Sequence, residues 1–406
     1  MQPMALDGIR VVDLAGTVAT GYCAKLFADY GASVTNLEPD GGFPTRSLSP
    51  FMPGAGGMSA MHAYLHTNKR SVLRGADDAR IIGAADLVLD DGSDTDAEHI
   101  QGVRSSISWF GLDGPLAGAT GSDAQCFAMN AMLRNIGRVE GPPMIPTGYQ
   151  AQVVGGATAF IGSMIQVLAG ELGNRTEPVH IETSIYESAL CFTEVGMVGF
   201  HNSGAEAPRM GINRYPPTYP LGVFPCRDGW LGVTVLTPSQ WHSFCDLLGM
   251  QELADVPLFQ SAIGRLQGLE IIEPQMCAAL LEQSAEELFY NAQNRRVPLA
   301  RVPTMEELFG VDQFLERQAF SDATLPDGAT LKVPSVPFRL FDTPPNFGGP
   351  VAALGEGDAL VRAATIMDSP VEQLRQQQFR WGQEPDGKIR DGALARVTGG
   401  GADASG

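Results

Sequence analysis

The feature that most constrains the fold is a run of uncharged residues from Gly141 to Gly170, bracketed by Glu140 and Glu171. A run of this length must be covered either by the rest of the protein or by lipid. Its first half is rich in proline, and it also carries tyrosine and glutamine side chains, which suit a loop better than a membrane span. We therefore predict a loop that leads into a buried helix, Gly155–Gly170, with no membrane as partner.

Length and composition indicate an ordinary globular protein with two domains. The chain has 406 residues, of which 44% are hydrophobic and 18% charged, and this length exceeds the size at which a single core usually stops growing. The formal net charge of −19 argues against nucleic acid and against anionic membranes as partners, because both are bound through clustered basic residues.

The six cysteines are scattered and form no Cys-x-x-Cys pair. This spacing fits neither a disulfide scaffold nor a zinc site, and the N-terminus lacks a basic stretch followed by an apolar one. We expect a reduced, cytoplasmic chain without a metal.

The N-terminal stretch predicts a βαβ unit. Gly8–Ala15 and Ser33–Glu38 have the composition of strands, and Thr20–Ala32 between them that of a helix. Ala85–Asp90 and Ser105–Gly111 add strands of the same kind. The fold class is therefore α/β, with a Rossmann-like open parallel sheet in a large domain. The first turn, AGTVATG, lacks Gly-x-Gly-x-x-Gly, so a dinucleotide site gets little support.

The middle of the chain predicts a smaller α+β domain. The stretch GVFPCRDGWLGVTVL has the pattern of a hairpin, helical segments follow it, and a proline-rich stretch then carries the chain onward. The predicted bounds are 1–203 for the N-terminal part of the large domain, 204–224 for a crossover linker, 225–325 for the small domain, 326–398 for a segment returning to the large domain, and 399–406 for a disordered tail.

Nine stretches together carry a family resemblance. In chain order they are LDGIRVVDLAG, LFADYGASVTNLEP, HTNKRSV, GLDGPLAG, GSDAQCFAMNAM, GPPMIPTG, FPCRDGWLGV, VPLARVPTMEELFGVDQFLERQAF, and VPFRLFDTPP with ALGE. From about Leu6 to Glu356 the chain resembles the family III CoA-transferases, the group that contains formyl-CoA transferase, carnitine CoA-transferase and the α-methylacyl-CoA racemases.

The resemblance implies both the assembly and the chemistry. Members form dimers of two interlinked, ring-shaped chains, which fits a C-terminal segment that returns to the large domain. An Asp carboxylate attacks an acyl-CoA thioester, a mixed anhydride and an aspartyl-CoA thioester follow, and the acceptor carboxylate takes the CoA. No cofactor is required, since the CoA thioester is the substrate.

The catalytic residue of the family is absent from this chain. The family's Asp lies four residues before the Gly that opens the helix, and with Gly156 in that place the Asp position is Gln152. No residue of the uncharged run carries a carboxylate, and an amide cannot form the anhydride. The racemases use a His directly before an Asp, but here Ser122 precedes Asp123, so racemase chemistry is disfavoured more strongly still.

Five residues match family positions that contact CoA, namely Thr17, Val18, Ala19, Arg46 and Lys69. Lys69 is as consistent with a structural charge at the end of a helix. A basic residue of the family falls at Pro39, and the segment that contacts CoA after Ala85–Asp90 is replaced by the acidic DDGSDTDAEHIQ. Acidic residues are unfavourable neighbours for the phosphates of CoA.

Further residues allow two interpretations each. Arg209, Arg214 and Tyr215 could bind a dicarboxylate, because arginine suits carboxylates geometrically, or they could lie in a solvated loop. His180 is better explained as a packed strand residue than as a base. Glu187 matches a family carboxylate near the active site, or it is a buried helix charge paired with arginine.

Three hypotheses about function remain. In the first, the chain is an inactive subunit of a heteromeric CoA-transferase, and a homologous partner brings the Asp; the resemblance to the Asp-lacking subunit of such enzymes implies succinyl-CoA as donor and a carboxylate such as (R)-benzylsuccinate as acceptor. In the second, the chain is a self-sufficient transferase with another nucleophile, for which Asp123 is the nearest candidate. In the third, it is a non-enzymatic protein that binds CoA esters.

Overall fold

The computed structural model describes residues 4–53, 57–93, 99–205 and 209–359. The chain divides into two units. The first unit comprises Met1–Thr120, Gln152–Ser188 and Ser321–Gly406, as far as these are described, and the second comprises Gly121–Ala151 and Ala189–Phe320.

The strands and helices of the described residues follow in chain order. The strands are β1 (Arg10–Asp13), β2 (Ser33–Glu38), β3 (Lys69–Leu73), β4 (Leu87–Asp90), β5 (Val103–Ser108), β6 (Val179–Ser184), β7 (Leu221–Cys226), β8 (Gly229–Thr234), β9 (Leu299–Arg301), β10 (Phe320–Thr324), β11 (Thr330–Pro334) and β12 (Gly349–Pro350). The helices are α1 (Val18–Asp29), α2 (Ala60–Leu65), α3 (Asp78–Gly83), α4 (Asp123–Met129), α5 (Gln150–Glu171), α6 (Ile185–Ser188), α7 (Glu194–Ser203), α8 (Pro238–Leu248), α9 (Gln251–Ala254), α10 (Ala262–Gln267), α11 (Leu269–Leu281), α12 (Ala285–Asn294), α13 (Met305–Leu308) and α14 (Asp312–Glu316).

A six-stranded parallel sheet with the order β3-β2-β1-β4-β5-β6 forms the centre of the first unit. Its strands are short and rich in β-branched residues, and Val12, Val72 and Val88 are buried in one core cluster. Chain order runs outward from β1 to β3 and then restarts on the other side of β1 at β4. The predicted α/β class with an open parallel sheet is confirmed, and this reversal of strand order creates a crevice at the carboxyl ends of β1 and β4.

The chain returns to the first unit at Ser321, within β10. The Asn346 N–H donates to the Asp29 carbonyl at 2.8 Å, and the rings of Tyr30 and Phe338 stack with centroids 4.2 Å apart. Strands β10, β11 and β12 form a small sheet of their own. The predicted tail, 399–406, and the return segment beyond residue 359 lie outside the described residues.

The second unit surrounds a three-stranded antiparallel sheet, β7-β8-β9. Trp241, Phe244 and Phe259 belong to its fully buried core. Arg265 is also fully buried there, and its guanidinium donates to the carbonyls of Tyr219 and Phe259 at 2.7 and 3.0 Å. The predicted hairpin, with Arg227 and Asp228 at its turn, is present.

The predicted domain bounds differ from the two units. Residues 121–151 and 189–203, predicted to lie in the large domain, and the predicted linker, 204–224, group with the second unit, whereas residues 321–325, predicted to lie in the small domain, group with the first. The Asn130 amide donates to the Ala189 carbonyl at 2.9 Å, and the Phe127 and Phe192 rings meet edge to face. These contacts join segments that are distant in sequence, and no change of composition marks them.

The helix predicted in the uncharged run is present, but it is longer and less buried than expected. It begins at Gln150 rather than Gly155, and Ile161, Ile165 and Leu168 on one side are each more than half exposed. By length and composition α5 could cross a membrane, with 28% of its apolar window buried. A core helix of a soluble protein passes the same test, so this finding is weak support for a membrane span.

The opposite side of α5 packs closely on the first unit. A Cβ atom added at Gly156 would lie 2.5 Å from the carbonyl oxygen of Ala19 in α1. Because backbone cannot move aside as a flexible side chain can, glycine is required here for the two helices to approach.

We expect Gly156→Ala to lower the free energy of unfolding by about 1–3 kcal/mol, since the added methyl group overpacks the contact between α5 and α1. Gly162→Ala in the same helix is the matched control. Its Cβ would lie 3.7 Å from the nearest atom, so this variant should be neutral or slightly stabilised. Urea unfolding of both variants measures the difference, and equal stabilities would contradict the close contact.

Candidate functional site

A cavity of about 370 Å³ opens at the carboxyl ends of β1 to β4 in the first unit. This is the crevice that the reversal of strand order creates, and ligands of open α/β sheets bind in such places. The residues that line it are Leu14, Ala15, Pro39, Phe43, Pro44, Arg74, Asp90, Asp91 and Ser93.

One side of the cavity is acidic. The Asp90 carboxylate accepts hydrogen bonds from the Ser106 hydroxyl at 2.6 Å and from Arg104 Nε at 2.7 Å, and the Asp91 carboxylate accepts from the Ser93 hydroxyl at 2.5 Å. Arg74 is the one cation among the described lining residues, and its Nη2 donates to the Leu14 carbonyl at 3.3 Å. The predicted acidic segment therefore borders the cavity as far as it is described, and residues 94–98 lie outside the description.

The first βα turn is fixed from inside the unit. Asp13 Oδ1 accepts from the N–H groups of Ala15 and Gly16, and the Thr17 hydroxyl caps α1 by accepting from the Thr20 N–H at 3.1 Å. The ring of Phe43 covers this turn so closely that a Cβ atom at Gly16 would lie 2.0 Å from it. The turn is thus covered by an aromatic side chain at the N-terminus of α1.

Of the three predicted CoA contacts in this turn, Thr17 is partly exposed, whereas Val18 and Ala19 are buried. Their side chains face the interior, so a ligand could meet Val18 and Ala19 through backbone groups alone. N-terminal helix turns do bind anions in this way.

Arg46 is engaged inside the unit. Its guanidinium forms a bidentate ion pair with Glu38, in which both N–O distances are 2.7 Å, and Glu38 is fully buried. Burial by itself would raise the pKa of Glu38, but the hydrogen bonds from Arg46, Ser71 and Phe43 outweigh it and hold the pKa below its ordinary value. The donors of Arg46 that the structure shows are directed to a buried carboxylate, and its contact with CoA stays a prediction.

Lys69 also faces inward, which favours the structural interpretation. It is 4% exposed, and its ammonium donates to the Gly21 carbonyl of α1 at 2.8 Å. Burial lowers the pKa of Lys69 to about 7, and the negative charge of Asp13 opposes this shift in part. Burial likewise raises the pKa of Asp13. The structure places Lys69 beneath α1, which favours the structural interpretation over that of a CoA ligand.

A buried polar cluster continues from Lys69 towards α2. The Thr45 hydroxyl lies 3.0 Å from His62 Nδ1 and 3.1 Å from His66 Nε2, and the two imidazole rings stack at 4.2 Å. Asn36 contacts His66 from β2 at 3.0 Å. Burial lowers the pKa of His62 to about 3 and that of His66 well below its ordinary value, so both are neutral at pH 7.

Position 152 lies at the start of α5, on the side of the sheet's carboxyl edge. Gly156 meets Ala19, and the ring of Phe160 meets that of Phe27 at 4.8 Å, so α5 and α1 run in the same direction. Because α1 starts at the carboxyl end of β1, α5 also starts towards that edge. Gln152, one turn before Gly156, is 8% exposed.

A neighbouring carboxylate holds the first residues of α5. Asp123 is buried, and its Oδ1 accepts from the backbone N–H of Ala151 at 2.8 Å. A carboxylate at the N-terminus of a helix is favourable both as a hydrogen-bond acceptor and as a charge. The interpretation of Asp123 as a structural residue is thereby favoured over that of a nucleophile.

The other residues singled out in the sequence lie apart from the cavity. His180 is on β6 and exposed, with Nε2 at 2.8 Å from the Ser106 hydroxyl, so it is not a packed residue. Glu187 is exposed, which removes the interpretation as a buried charge. Within the described ranges, no group of three or more His, Cys, Asp or Glu side chains is placed to hold a metal ion.

Phe43 and Asp90 are two residues of the site that the sequence did not reveal. Asp90 ends a buried strand, and that position at the carboxyl edge could have been noticed. Phe43 gave no comparable indication, because its place over Gly16 depends on the fold of the segment between β2 and α2.

Comparison with known proteins gives the family of the chain and agrees with its fold. The family described as CoA-transferase family III matches residues 6–77 and 101–357. The chain belongs to this family. Family III is a family of enzymes, and the assignment made from the nine stretches is confirmed.

Several characterised relatives are similar over nearly their full length. The succinate–glutarate CoA-transferase of Agrobacterium fabrum is 26% identical over 88% of this chain and 95% of the relative. The succinyl-CoA:mesaconate CoA-transferase of Haloarcula hispanica is 26% identical over 87% of this chain and 94% of the relative.

A solved structure supports the fold. The crystal structure of a CAIB/BAIF family protein from Brucella suis superposes with a TM-score of 0.78 at 22% identity, and it covers 90% of this chain and 100% of its own.

The buried ammonium of Lys69 predicts a pH-dependent stability. Its pKa of about 7 in the folded chain lies below the ordinary 10.5, so between these values the unfolded chain binds more protons and stability rises with pH. Below pH 7 both states are protonated, and the full penalty of the buried charge is present.

We therefore expect the free energy of unfolding of the wild type to rise between pH 7 and 9.5 by on the order of 3 kcal/mol more than that of Lys69→Met. Urea unfolding measures the free energy of unfolding of wild type and variant at several pH values. The difference between the two proteins removes the contribution of groups that titrate in both, such as Cys23 and the tyrosines. The control is Lys332→Met, which replaces an exposed lysine paired with Asp322. Parallel pH profiles for wild type and Lys69→Met would contradict the neutral, buried amine.

Proposed function

We propose that this chain is the Asp-lacking subunit of a heteromeric family III CoA-transferase, and that a homologous partner chain supplies the catalytic carboxylate. The donor is succinyl-CoA, and the acceptor is a dicarboxylate such as (R)-benzylsuccinate. The observation that carries the proposal is Gln152, whose amide lies in the first turn of α5 at the position of the family's nucleophile.

The chemistry explains why a partner is needed. A carboxylate oxygen attacks the thioester carbonyl, the carbon–sulfur bond breaks, and CoA leaves as a thiolate. The thiolate then attacks the enzyme carbonyl of the resulting anhydride and releases the acyl group as free carboxylate. The acceptor carboxylate attacks this enzyme thioester and forms a second anhydride with release of the CoA thiolate. The thiolate finally attacks the acceptor carbonyl of that anhydride, which gives the product CoA thioester and frees the enzyme carboxylate. A neutral amide oxygen is too weak a nucleophile for the first step and cannot hold CoA as a thioester.

The residues that line the cavity favour a non-catalytic role for this chain's own cleft. Two of its lining residues are aspartates, Pro39 replaces a basic residue of the family, and Phe43 covers the first turn. Arg46 and Lys69 direct their donors to buried partners. The phosphates of CoA find little positive charge here, so we assign productive CoA binding to the partner's cleft.

Two exposed apolar faces support a close association with a partner chain. One is the side of α5 with Ile161, Ile165 and Leu168, and the other is α7, which has no buried residue and exposes Val195 and Val198. Apolar surface of this extent on a soluble chain marks an interaction site. Linked rings of two homologous chains would cover both faces.

The relatives support the choice of donor. The names of two of them contain succinate or succinyl-CoA, and the acceptors named are glutarate and mesaconate. A succinyl-CoA donor and a dicarboxylate acceptor for this chain are inferred by this similarity. (R)-Benzylsuccinate is the more specific suggestion, because a heteromeric transferase with one Asp-lacking subunit is the pattern that this chain resembles.

The proposal is tested by expressing the chain alone and together with a homologous family III chain that carries Asp at the position of Gln152, and by measuring CoA transfer from succinyl-CoA to a panel of dicarboxylates. We expect activity only for the co-expressed pair. Replacing the partner's Asp by Ala should reduce kcat by at least about a thousandfold, whereas Gln152→Ala should change it less than about threefold.

Activity of the isolated chain would overturn the proposal, and its loss in Asp123→Asn would then identify Asp123 as the nucleophile. The Asp123→Asn variant is included because the Asp123 carboxylate contacts the residue next to Gln152. Binding of CoA esters without turnover, even beside the paralogue, would favour a non-enzymatic role instead.

The apolar faces give a separate prediction about assembly. We expect Ile165→Asp on α5 and Val198→Asp on α7 to abolish co-purification with the partner, because a buried unpaired charge destabilises an interface strongly. Ile271→Asp, at an equally exposed isoleucine of α11, is the control and should assemble normally. Light scattering after size-exclusion chromatography measures the mass, and unchanged complexes in both variants would contradict these faces as contacts.

A further inference from the structure

A short segment between β2 and α2 lies over the first βα turn, and we call this segment, residues 43–47, the strap. It begins at Phe43 and continues in a single turn of 3-10 helix, Pro44–Ser47. The Phe43 side chain packs directly on Gly16, so that a Cβ atom at this glycine would overlap it. Phe43 is 1% exposed, and it is one of the residues that line the cavity. The strap therefore forms the wall of the cavity over the turn.

The turn beneath Phe43 leads into the positions predicted to contact CoA. Gly16 is followed by Thr17, Val18 and Ala19, and the buried side chains of Val18 and Ala19 leave only their backbone groups to a ligand. Because Phe43 covers the residue directly before them, a ligand that approached these groups from the cavity would meet the Phe43 ring.

Glu38 anchors the strap at two places. Its Oε2 accepts from the Phe43 N–H at 2.9 Å and from Arg46 Nε at 2.7 Å, and its Oε1 accepts from Arg46 Nη2 at 2.7 Å. The Ser71 hydroxyl of β3 also donates to Oε1, at 2.6 Å. Hydrogen bonds to a carboxylate are stronger than those between neutral groups. A fully buried carboxylate thus fixes both the aromatic residue of the strap and the arginine three positions later.

Thr45 is the second anchor, and the donor in each of its contacts can be assigned. His66 Nδ1 faces two donors, the Asn36 amide nitrogen at 3.0 Å and Lys69 Nζ at 3.4 Å, so this nitrogen carries no proton. A neutral imidazole has one N–H, so His66 Nε2–H donates to the Thr45 hydroxyl oxygen at 3.1 Å. The Thr45 hydroxyl in turn donates to His62 Nδ1 at 3.0 Å.

The second anchor lies entirely in the interior. Thr45, His62 and His66 are each 1% exposed, and burial lowers the pKa of both imidazoles so that they are neutral at pH 7. The Thr45 hydroxyl is used once as donor and once as acceptor, so its removal breaks both links to the histidines. Loss of this one oxygen would release the middle of the strap.

Both anchors belong to the first unit, and they are complete without a ligand. Their partners come from β2, β3 and α2. A cover that is held in this way is closed before a ligand arrives, unlike a loop that closes over one. The apparent affinity for a ligand then falls by the fraction of molecules in which the cover is open.

We propose that the strap is an autoinhibitory element, in which Phe43 occupies the place over the first βα turn that a CoA ester needs and the two anchors keep it there. This inference rests on the proposed function and adds a reason for the unproductive cleft that is independent of Gln152. The missing carboxylate prevents the reaction, whereas the strap prevents binding.

The test is titration calorimetry of the full-length chain, expressed alone, with CoA as the ligand at neutral pH. We expect no binding to the wild type up to about 1 mM CoA. Phe43→Ala removes the cover, and it should bind CoA at least about tenfold more tightly than this limit.

Two variants at position 45 form the matched pair. Thr45→Val removes the hydroxyl but keeps Phe43, and it should also bind at least about tenfold more tightly than the wild-type limit, because the strap opens more often. Thr45→Ser retains the hydroxyl and should bind as weakly as the wild type. Thr35→Val makes the same change at another buried threonine of β2, on the face opposite to Asn36, and should not bind CoA. This control separates release of the strap from general loosening of the unit.

A further variant tests where the ligand binds. Arg74 is the one cation among the described residues that line the cavity. Adding Arg74→Gln to Phe43→Ala should weaken the gained binding about three- to tenfold. An unchanged affinity would place the ligand outside the cavity and overturn the inference.

Three other outcomes would also overturn it. These are binding of CoA to the wild type as tight as to Thr45→Val, no gain in Thr45→Val, and no gain in a folded Phe43→Ala. Circular dichroism and urea unfolding show whether Phe43→Ala is folded, and if it is not, Thr45→Val decides alone.

The measurement needs neither the partner chain nor turnover, so its result is distinct from that of the transfer assay. An active pair whose variants gain no CoA binding would refute the strap and leave the proposed function intact. Gained binding in a chain whose pair shows no transfer would refute the proposed function and leave the strap as a cover of the cavity.

Discussion

The contact between Gly156 of α5 and the Ala19 carbonyl of α1 is the constraint on which the arrangement of the site depends. A helix can come so close to another backbone only where a side chain is missing. The contact fixes α5 parallel to α1 and brings its first turn to the carboxyl edge of the sheet. The residue at position 152 is thereby held at the edge where open α/β sheets bind ligands. The chain keeps this scaffold although the residue that it would position is an amide.

The buried charges beneath the first turn show how the site became rigid. Glu38 accepts from Arg46, Ser71 and Phe43, and Lys69 reaches the carbonyl of Gly21. Each buried charge needs a partner, because an unpaired one would destabilise the fold by several kcal/mol. Once Arg46 and Lys69 serve this purpose, their donors are no longer directed to a ligand. Arginine and lysine bind phosphate where a cleft is open, whereas here Arg46 and Lys69 stabilise the cleft through contacts inside the protein.

Much of the fold follows from the sequence, because short β-rich strands and the intervening helix are local patterns. Gln152 could be located because one motif fixes its distance from Gly156. The direction of Arg46 and Lys69 could not be predicted, since it depends on Glu38 and Gly21, which only the folded chain brings near. The bounds of the units were missed for the same reason, as Asn130 and Ala189 are far apart in sequence.

The uncovered helix α7 has a consequence for how the protein must be made. A helix of ten residues with none of them buried has little to hold it in place until another surface covers it. A chain synthesised in excess would present apolar surface to chaperones and proteases, and its lifetime would be set by how soon it is covered. If the partner chain of the proposed complex is what covers α7, the abundance of this chain would follow the supply of that partner rather than its own rate of synthesis.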